Sequence, residues 1–379
     1  MSFLEYRLKT VPTGISKILY LNWALLLAIT AGAAIGWLML YSIAGGSVEP
    51  WAEPQMKRYA AGFVICIGVA LTPIWFWRNV SALGYALCFL LLVVVEFFGS
   101  VGMGAQRWID LGFIRLQPSE LMKVNLVLML AAYYDWLDDK RVSRPLWVAL
   151  PLALIAAPTA LVLAQPNLGT AVMLMLAGLA VMFAAGVSWW YFGAAAAIGS
   201  GAVASVFFTR GTAWQFLHDY QYRRIDTFLD PSADPLGAGY NIIQAKIALG
   251  SGGWAGKGFM QGTQSRLNFL PEKQTDFIFT TLGEEFGFVG ALALLGLYSL
   301  ILVFLIWAAV QNKDRFSQLF ILGVAVNFFL YIAVNLSMVM GMAPVVGVPL
   351  PFLSYGGSAT LVLLFAFGLV QSAIVHRPR

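Results

Sequence analysis

The stretch Phe277–Val310, FIFTTLGEEFGFVGALALLGLYSLILVFLIWAAV, decides the fold. Beyond Glu284 and Glu285 it carries no charged side chain as far as Val310, and roughly 20 apolar residues already suffice to cross a hydrocarbon core as a helix. Runs of the same kind recur along the chain. With 60% hydrophobic and only 11% charged residues, the chain is too apolar for a water-soluble domain, so its solvent is lipid. Only helices and closed barrels span a bilayer with every backbone group paired, and these runs are too long and too continuous for barrel strands.

The pattern therefore predicts an all-α polytopic membrane protein of about ten transmembrane helices. They fall near Tyr20–Ile43, Tyr59–Phe76, Leu83–Gly99, Ser119–Trp136, Leu146–Leu163, Thr170–Gly186, Trp189–Phe208, Phe277–Val310, Ser317–Met340 and Ser358–Ile374. A single membrane domain is expected over 1–379, with one large polar segment, 209–275, between the seventh and eighth spans. No short apolar core with a small-residue cleavage site precedes the first span, which is expected to remain as a helix.

Orientation follows from basic residues near span ends. Arg7, Lys9, Lys17, Arg78, Lys140, Arg141, Arg144, Lys313, Arg315, Arg377 and Arg379 share one side if there are ten spans. Both termini are then cytoplasmic and the long loop faces outward. The remaining cations sit outside or in the outer halves of spans: Lys57, Arg58, Arg107, Arg115, Lys123, Arg210, Arg223, Arg224, Lys246, Lys257, Arg266 and Lys273. Pairing with loop carboxylates accounts for about half of them; the rest point to an anionic partner at the outer leaflet.

Cys66 and Cys88 lie inside apolar runs and read as core residues, while His218 and His376 stand alone, so a histidine-ligated zinc or iron centre is not expected. A hard divalent cation, Mg or Mn, held by carboxylates stays open. Gly250–Gly258 (GSGGWAGKG) fails as a phosphate-binding P-loop, because Ser251 replaces the first glycine and Gly258 follows the lysine, and it reads as a flexible loop with small residues allowing close backbone approach. No nucleic-acid partner is expected.

Three clusters carry the chemistry-bearing side chains. Glu120 and Lys123, three apart after Gln117-Pro118-Ser119, form either a self-satisfied ion pair or a carboxylate and ammonium facing an aqueous cavity. Arg107-Trp108 puts a phosphate-matching guanidinium beside an indole in an outward loop. Asp276 precedes the eighth span, either as a helix cap or as a carboxylate able to take a proton from a sugar hydroxyl. Asp276, Gly283 and Gly287 share one helical face, and Glu284 and Glu285 need partners at membrane depth.

These segments together resemble the shape, elongation, division and sporulation (SEDS) family. The motifs are Gln117-Pro118-Ser119-Glu120 with Lys123, Gln165-Pro166 before Leu168-Gly169-Thr170, Asp234 to Tyr240, Thr275-Asp276-Phe277-Ile278-Phe279 with Gly283-Glu284-Glu285, and Pro349-Leu350-Pro351-Phe352-Leu353-Ser354-Tyr355-Gly356-Gly357-Ser358. Gly256–Ser265 before Leu267–Pro271 is closer to the elongation members than to the division members. The resemblance implies a peptidoglycan glycosyltransferase polymerising lipid II at the outer face of a bacterial inner membrane. Asp276 matches the family's essential aspartate. Arg107, Glu120, Lys123, Gln165, Arg223 and Arg224 are the expected substrate-binding residues, with Glu120 a candidate ligand of the divalent cation. A class B penicillin-binding protein and the elongation proteins MreC, MreD and MreB are the implied partners. Asn167 departs from the family pattern, which often has Asp there, and so leaves no second carboxylate at that turn. Two other readings remain: a flippase for the lipid-linked precursor, and a non-catalytic activator of the transpeptidase.

Overall fold

The computed structural model of the chain describes residues 14–102, 105–110, 112, 115–212, 215, 219–233, 238–266 and 272–377. Among them lie ten helices of at least 17 residues, and seven of these are long and apolar enough to cross a membrane. The chain is a multi-pass helical membrane protein. The Asp234–Gly237 part of one family motif and Leu267–Pro271 lie outside the described residues, as do Arg7, Lys9 and Arg379.

The first three helices are α1 (Trp23–Ile43), α2 (Ala52–Leu71) and α3 (Ile74–Phe98). The hydropathy pattern carries the second span through to Phe76, but the structure breaks it at Thr72 and Pro73. Proline lacks the amide hydrogen and clashes with the preceding turn, so Pro73 stands at the start of α3 instead. A second departure follows. The segment after α3, expected as a loop, forms a small antiparallel sheet of β1 (Ser100–Gly102), β2 (Ala105–Asp110) and β3 (Arg115–Leu116). Ser100 faces Trp108 and Asp110 faces Arg115 across it.

Next come α4 (Pro118–Trp136), α5 (Pro145–Ala164), α6 (Leu168–Ala184) and α7 (Trp189–Phe208). α2 and α4 fall short of the apolar criterion because they carry Glu53, Lys57 and Arg58, and Glu120, Lys123 and Asp135. α7 contributes no buried residue. The polar segment 209–275 is substantially helical, with α8 (Asp219–Leu229), α9 (Ala238–Ser251) and the one-turn α10 (Thr263–Arg266). The chain closes with α11 (Ile278–Gln311), α12 (Arg315–Val339) and α13 (Gly357–Val375). α12 is the central post, packed against α4, α6, α11 and α13.

α11 is broken at Gly287, whose φ of 63° and ψ of −159° no helix contains. A break orphans carbonyls before it and amides after it, and such groups are costly at membrane depth. The glycine-rich turn after α9 supplies partners for four of them. Lys257 N donates to Glu284 O at 3.0 Å and Gly258 N to Glu285 O at 3.0 Å, while Phe288 N donates to Gly253 O at 2.9 Å and Val289 N to Trp254 O at 3.1 Å. The backbones approach so closely that a Cβ at Gly252 would lie 2.0 Å from Gly283 O, and one at Gly256 2.1 Å from Glu285 O. The small residues of Gly250–Gly258 do allow the close backbone approach expected of them, but as a docked splint rather than a flexible loop.

Gly256, held at φ 79°, tolerates no side chain there, whereas a Cβ at Gly250 meets nothing within 4 Å. Gly256→Ala is expected to cost about 1–3 kcal/mol and to lower the thermal unfolding midpoint of the purified protein, with Gly250→Ala neutral or slightly stabilising.

Candidate functional site

Asp276 sits in the turn that leads into α11 and is partly buried. It does not cap the helix. The N-cap position belongs to Phe277 and receives no side-chain bond, which overturns the capping alternative. The turn is held through its backbone instead. Asn335 on α12 donates from Nδ2 both to Asp276 O at 3.0 Å and to Val348 O at 2.7 Å. Ser354 Oγ donates to Thr275 O at 2.6 Å and Tyr355 N to Gln274 O at 2.8 Å. Gln55 on α2 in turn grips the carbonyl of Ser354 at 3.3 Å and the hydroxyl of Thr360 at 2.9 Å.

The Asp276 carboxylate is thus placed without being consumed. Among the described residues no hydrogen bond reaches its oxygens, and Oδ2 lies 3.5 Å from where a Cβ of Gly347 would stand. Desolvation first, and then the neighbouring Glu272 charge, push its pKa up to about 6. That value suits a group that must take up a proton near neutral pH.

The three-proline segment 344–351 connects this carboxylate to a second cluster. A Cβ at Gly169, near the start of α6, would lie 3.0 Å from Val346 and from Val348, the residues on either side of Gly347. At the turn before α6, Arg107 of β2 donates from Nε to Gln165 O at 3.0 Å and from Nη2 to Pro166 O. Gln165, buried, donates to Leu92 O at 3.0 Å. Gly169 and Asp276 thus both adjoin this irregular segment, and Arg107 and Gln165 belong to the turn that precedes Gly169. Asn167 is buried at the N-cap of α6 and makes no side-chain capping bond.

Glu120 and Lys123 resolve toward the self-satisfied alternative. Lys123 Nζ lies 2.8 Å from Glu120 Oε1, and the Tyr331 hydroxyl of α12 accepts from Lys123 and donates to Glu120. Lys123 is 1% exposed and Glu120 4%, so neither faces an aqueous cavity. With the Glu120 oxygens spent on Lys123 and Tyr331, this donor set does not fit a divalent cation, and among the described residues no group of three His, Cys, Asp or Glu could hold one.

Arg223 is exposed on α8; the side chain of Arg224, which follows it, lies outside the described residues. Several of the cations expected to face outward prove to be paired: Lys57 with Glu53, Arg115 with Asp110, Arg210 with Asp226 and Lys257 with Glu284. Glu284 also accepts from Thr263 N and Oγ1 at 2.9 Å each, and Ser42 donates to Glu285, so both acids serve the splint rather than the pocket of Asp276.

Sequence reasoning missed Tyr331 and Asn335. With Asn327 they form a polar series at every fourth position of an otherwise apolar helix, all three buried, and that spacing was the available signal.

The chain matches the family described as cell cycle proteins, FtsW, RodA and SpoVE, over residues 22–378. It is 43% identical to the peptidoglycan glycosyltransferase MrdB of Escherichia coli K12, over 94% of each chain. It is 35% identical to the Helicobacter pylori J99 MrdB, over 85% of this chain and 83% of that one. Among solved structures it resembles a chain of a peptidoglycan synthase complex that coordinates polymerization and crosslinking, at TM-score 0.79 and 30% identity, covering 93% of this chain and 97% of that chain. It also resembles Thermus thermophilus rod shape determining protein RodA, at TM-score 0.71 and 26% identity, covering 95% and 98%.

Removing one partner of a buried ion pair strands the other charge. Lys123→Met alone is expected to destabilise by about 3–5 kcal/mol, and Glu120→Gln with Lys123→Met to recover most of that loss, as read by thermal unfolding in detergent.

Proposed function

From the premise that this chain belongs to the FtsW, RodA and SpoVE family, we propose that it is a peptidoglycan glycosyltransferase that polymerises lipid II during cell elongation, with Asp276 as its general base. The observation that carries the assignment is the Asp276 carboxylate, fixed by backbone bonds from Asn335 and the Ser354–Tyr355 turn yet with its own oxygens unspent. As the acceptor sugar hydroxyl attacks the anomeric carbon of the donor, its proton passes to Asp276. The carbon–oxygen bond to the lipid pyrophosphate breaks and the pyrophosphate leaves with the electron pair.

Arg107 and Gln165, across the 344–351 segment from Asp276, are the proposed contacts to the donor's phosphates, with Arg223 and Arg224 of α8 engaging the substrate further out. Glu120, Lys123 and Tyr331 support the reaction from one helical turn below Asn335, by fixing α12 against α4. In this reading the protein lies in a bacterial inner membrane with both termini cytoplasmic and segment 209–275 periplasmic. A class B penicillin-binding protein is its transpeptidase partner, and MreC, MreD and MreB complete the elongation assembly. The likeness to a chain of a synthase complex supports the first of these partners.

Asp276→Asn keeps the shape and removes the base, so lipid II polymerisation by the purified protein with its partner is expected to fall by about 10²–10⁴-fold. The stability change runs the other way. A carboxyl raised from 3.8 to about 6 binds its proton more tightly in the folded state, so its stabilising contribution is present at low pH and lost as pH rises through about 6. Near pH 7.5 the ionised group therefore weakens the fold, and Asp276→Asn is expected to raise the unfolding midpoint while abolishing activity.

A further inference from the structure

At the end of the bundle opposite Asp276, a cavity of about 370 Å³ opens where the α2–α3 turn, the α11–α12 turn and the end of α13 meet. Its walls include Trp75, Arg78, Asn312, Asp314, His376 and Arg377. We propose that this cavity binds the headgroup of an anionic glycerophospholipid of the phosphatidylglycerol type, a phosphodiester bearing free hydroxyl groups.

Two guanidiniums on the walls, those of Arg78 and Arg377, keep donors for an anionic oxygen. Arg78 donates to Asp135 at 3.0 Å but leaves its side chain 44% exposed, and Arg377 is bonded only to the neutral amide of Gln311 among the described residues. The one carboxylate on the wall, Asp314, is spent capping α12, where it accepts from Ser317 N at 3.0 Å and Ser317 Oγ at 2.6 Å. α3 begins at the same wall with Pro73 at its N-cap, no side-chain cap and no acidic residue in its first turn. Its open amides and the positive end of its dipole therefore add to the field that draws an anion.

Two further wall residues show that the ligand also carries donors. Asn312 is 1% exposed; its Nδ2 donates to Ala308 O at 2.8 Å, which leaves Oδ1 without a partner. His376 Nδ1 lies 2.9 Å from Ser372 O, which leaves Nε2 without one. Buried acceptors in native proteins are ordinarily satisfied. An inorganic phosphate dianion carries a single P–OH and can serve only one of these two acceptors, whereas a glycerol headgroup offers two hydroxyls. Trp75, 58% exposed beside them, is the kind of side chain that sits at a lipid headgroup level, and basic clefts between helix ends are where anionic headgroups lodge. Cavity volume agrees with a site for one headgroup, its acyl chains running along the apolar flank of the bundle.

Native mass spectrometry of the full-length protein in detergent tests this, with phosphatidylglycerol and phosphatidylcholine of identical acyl chains as probes and inorganic phosphate as competitor. One phosphatidylglycerol should be retained that equimolar phosphatidylcholine does not displace. Arg78→Gln with Arg377→Gln should weaken it roughly 25-fold, at roughly fivefold per guanidinium, and Arg377→Lys should hold within a few fold of wild type. Unchanged lipid II polymerisation in detergent shows the double variant to be folded; if it is not, Arg377→Gln alone carries the test at fivefold. Equal retention of the two lipids, or unaltered retention by the variants, overturns the proposal. Displacement by equimolar inorganic phosphate also overturns it, by assigning the site to a free anion.

Discussion

An unpaired backbone group in lipid costs several kcal/mol, and this protein breaks a spanning helix at Gly287 all the same. The rest of the Asp276 end of the bundle follows from how that debt is met. Four backbone bonds from Gly253 to Gly258 close the gap, and they require a neighbouring strand of nearly bare backbone. Glu284, just before the break, is then fully buried and gathers Lys257 and Thr263 around one oxygen, while Glu285 takes Ser42 from α1. Segment 209–275 is thereby tied to the membrane helices, and the first turns of α11 are held against α9.

That anchoring bears directly on Asp276, two residues before α11. The acid is positioned from three sides by backbone-directed bonds: Asn335 from α12, Ser354 from the proline-rich segment, and Gln55 from α2 acting through the Ser354 carbonyl. Placing a residue through its main chain leaves its side chain available, and burial raises its proton affinity without a cation to counter it. Position and basicity here have the same origin. One helical turn away on α12, Tyr331 closes the Glu120–Lys123 pair, so α12 joins the structural ion pair to the proposed reaction centre.

Much of this was legible in the sequence, because hydrophobic runs report directly on burial in lipid. The helical membrane class could be read from composition and hydropathy, whereas spacing left Asp276 open between helix cap and proton acceptor and only the family resemblance singled it out. Where a reading went astray, a local pattern had more than one physical solution. Pro73 sits within an apolar run, yet proline chemistry ends the helix there. Gly250–Gly258 has the composition of a flexible linker, but the same absence of side chains lets its backbone dock directly on that of α11. Glu120 and Lys123 share a face in either of their readings, and only the partner on α12 distinguishes a sealed pair from a cavity wall. Asn335 was invisible in motif terms, since its role depends on a contact nearly sixty residues away in sequence.

The central claim is that the Asp276 carboxylate accepts the proton of the attacking hydroxyl, and its most direct test is the pH dependence of lipid II polymerisation by the purified, partner-bound protein. The account predicts that kcat/KM is level above neutrality and falls about tenfold per pH unit below about 6, because only the ionised form of a group with that pKa can act as the base. A profile that stays flat from pH 5 to pH 8 would contradict it.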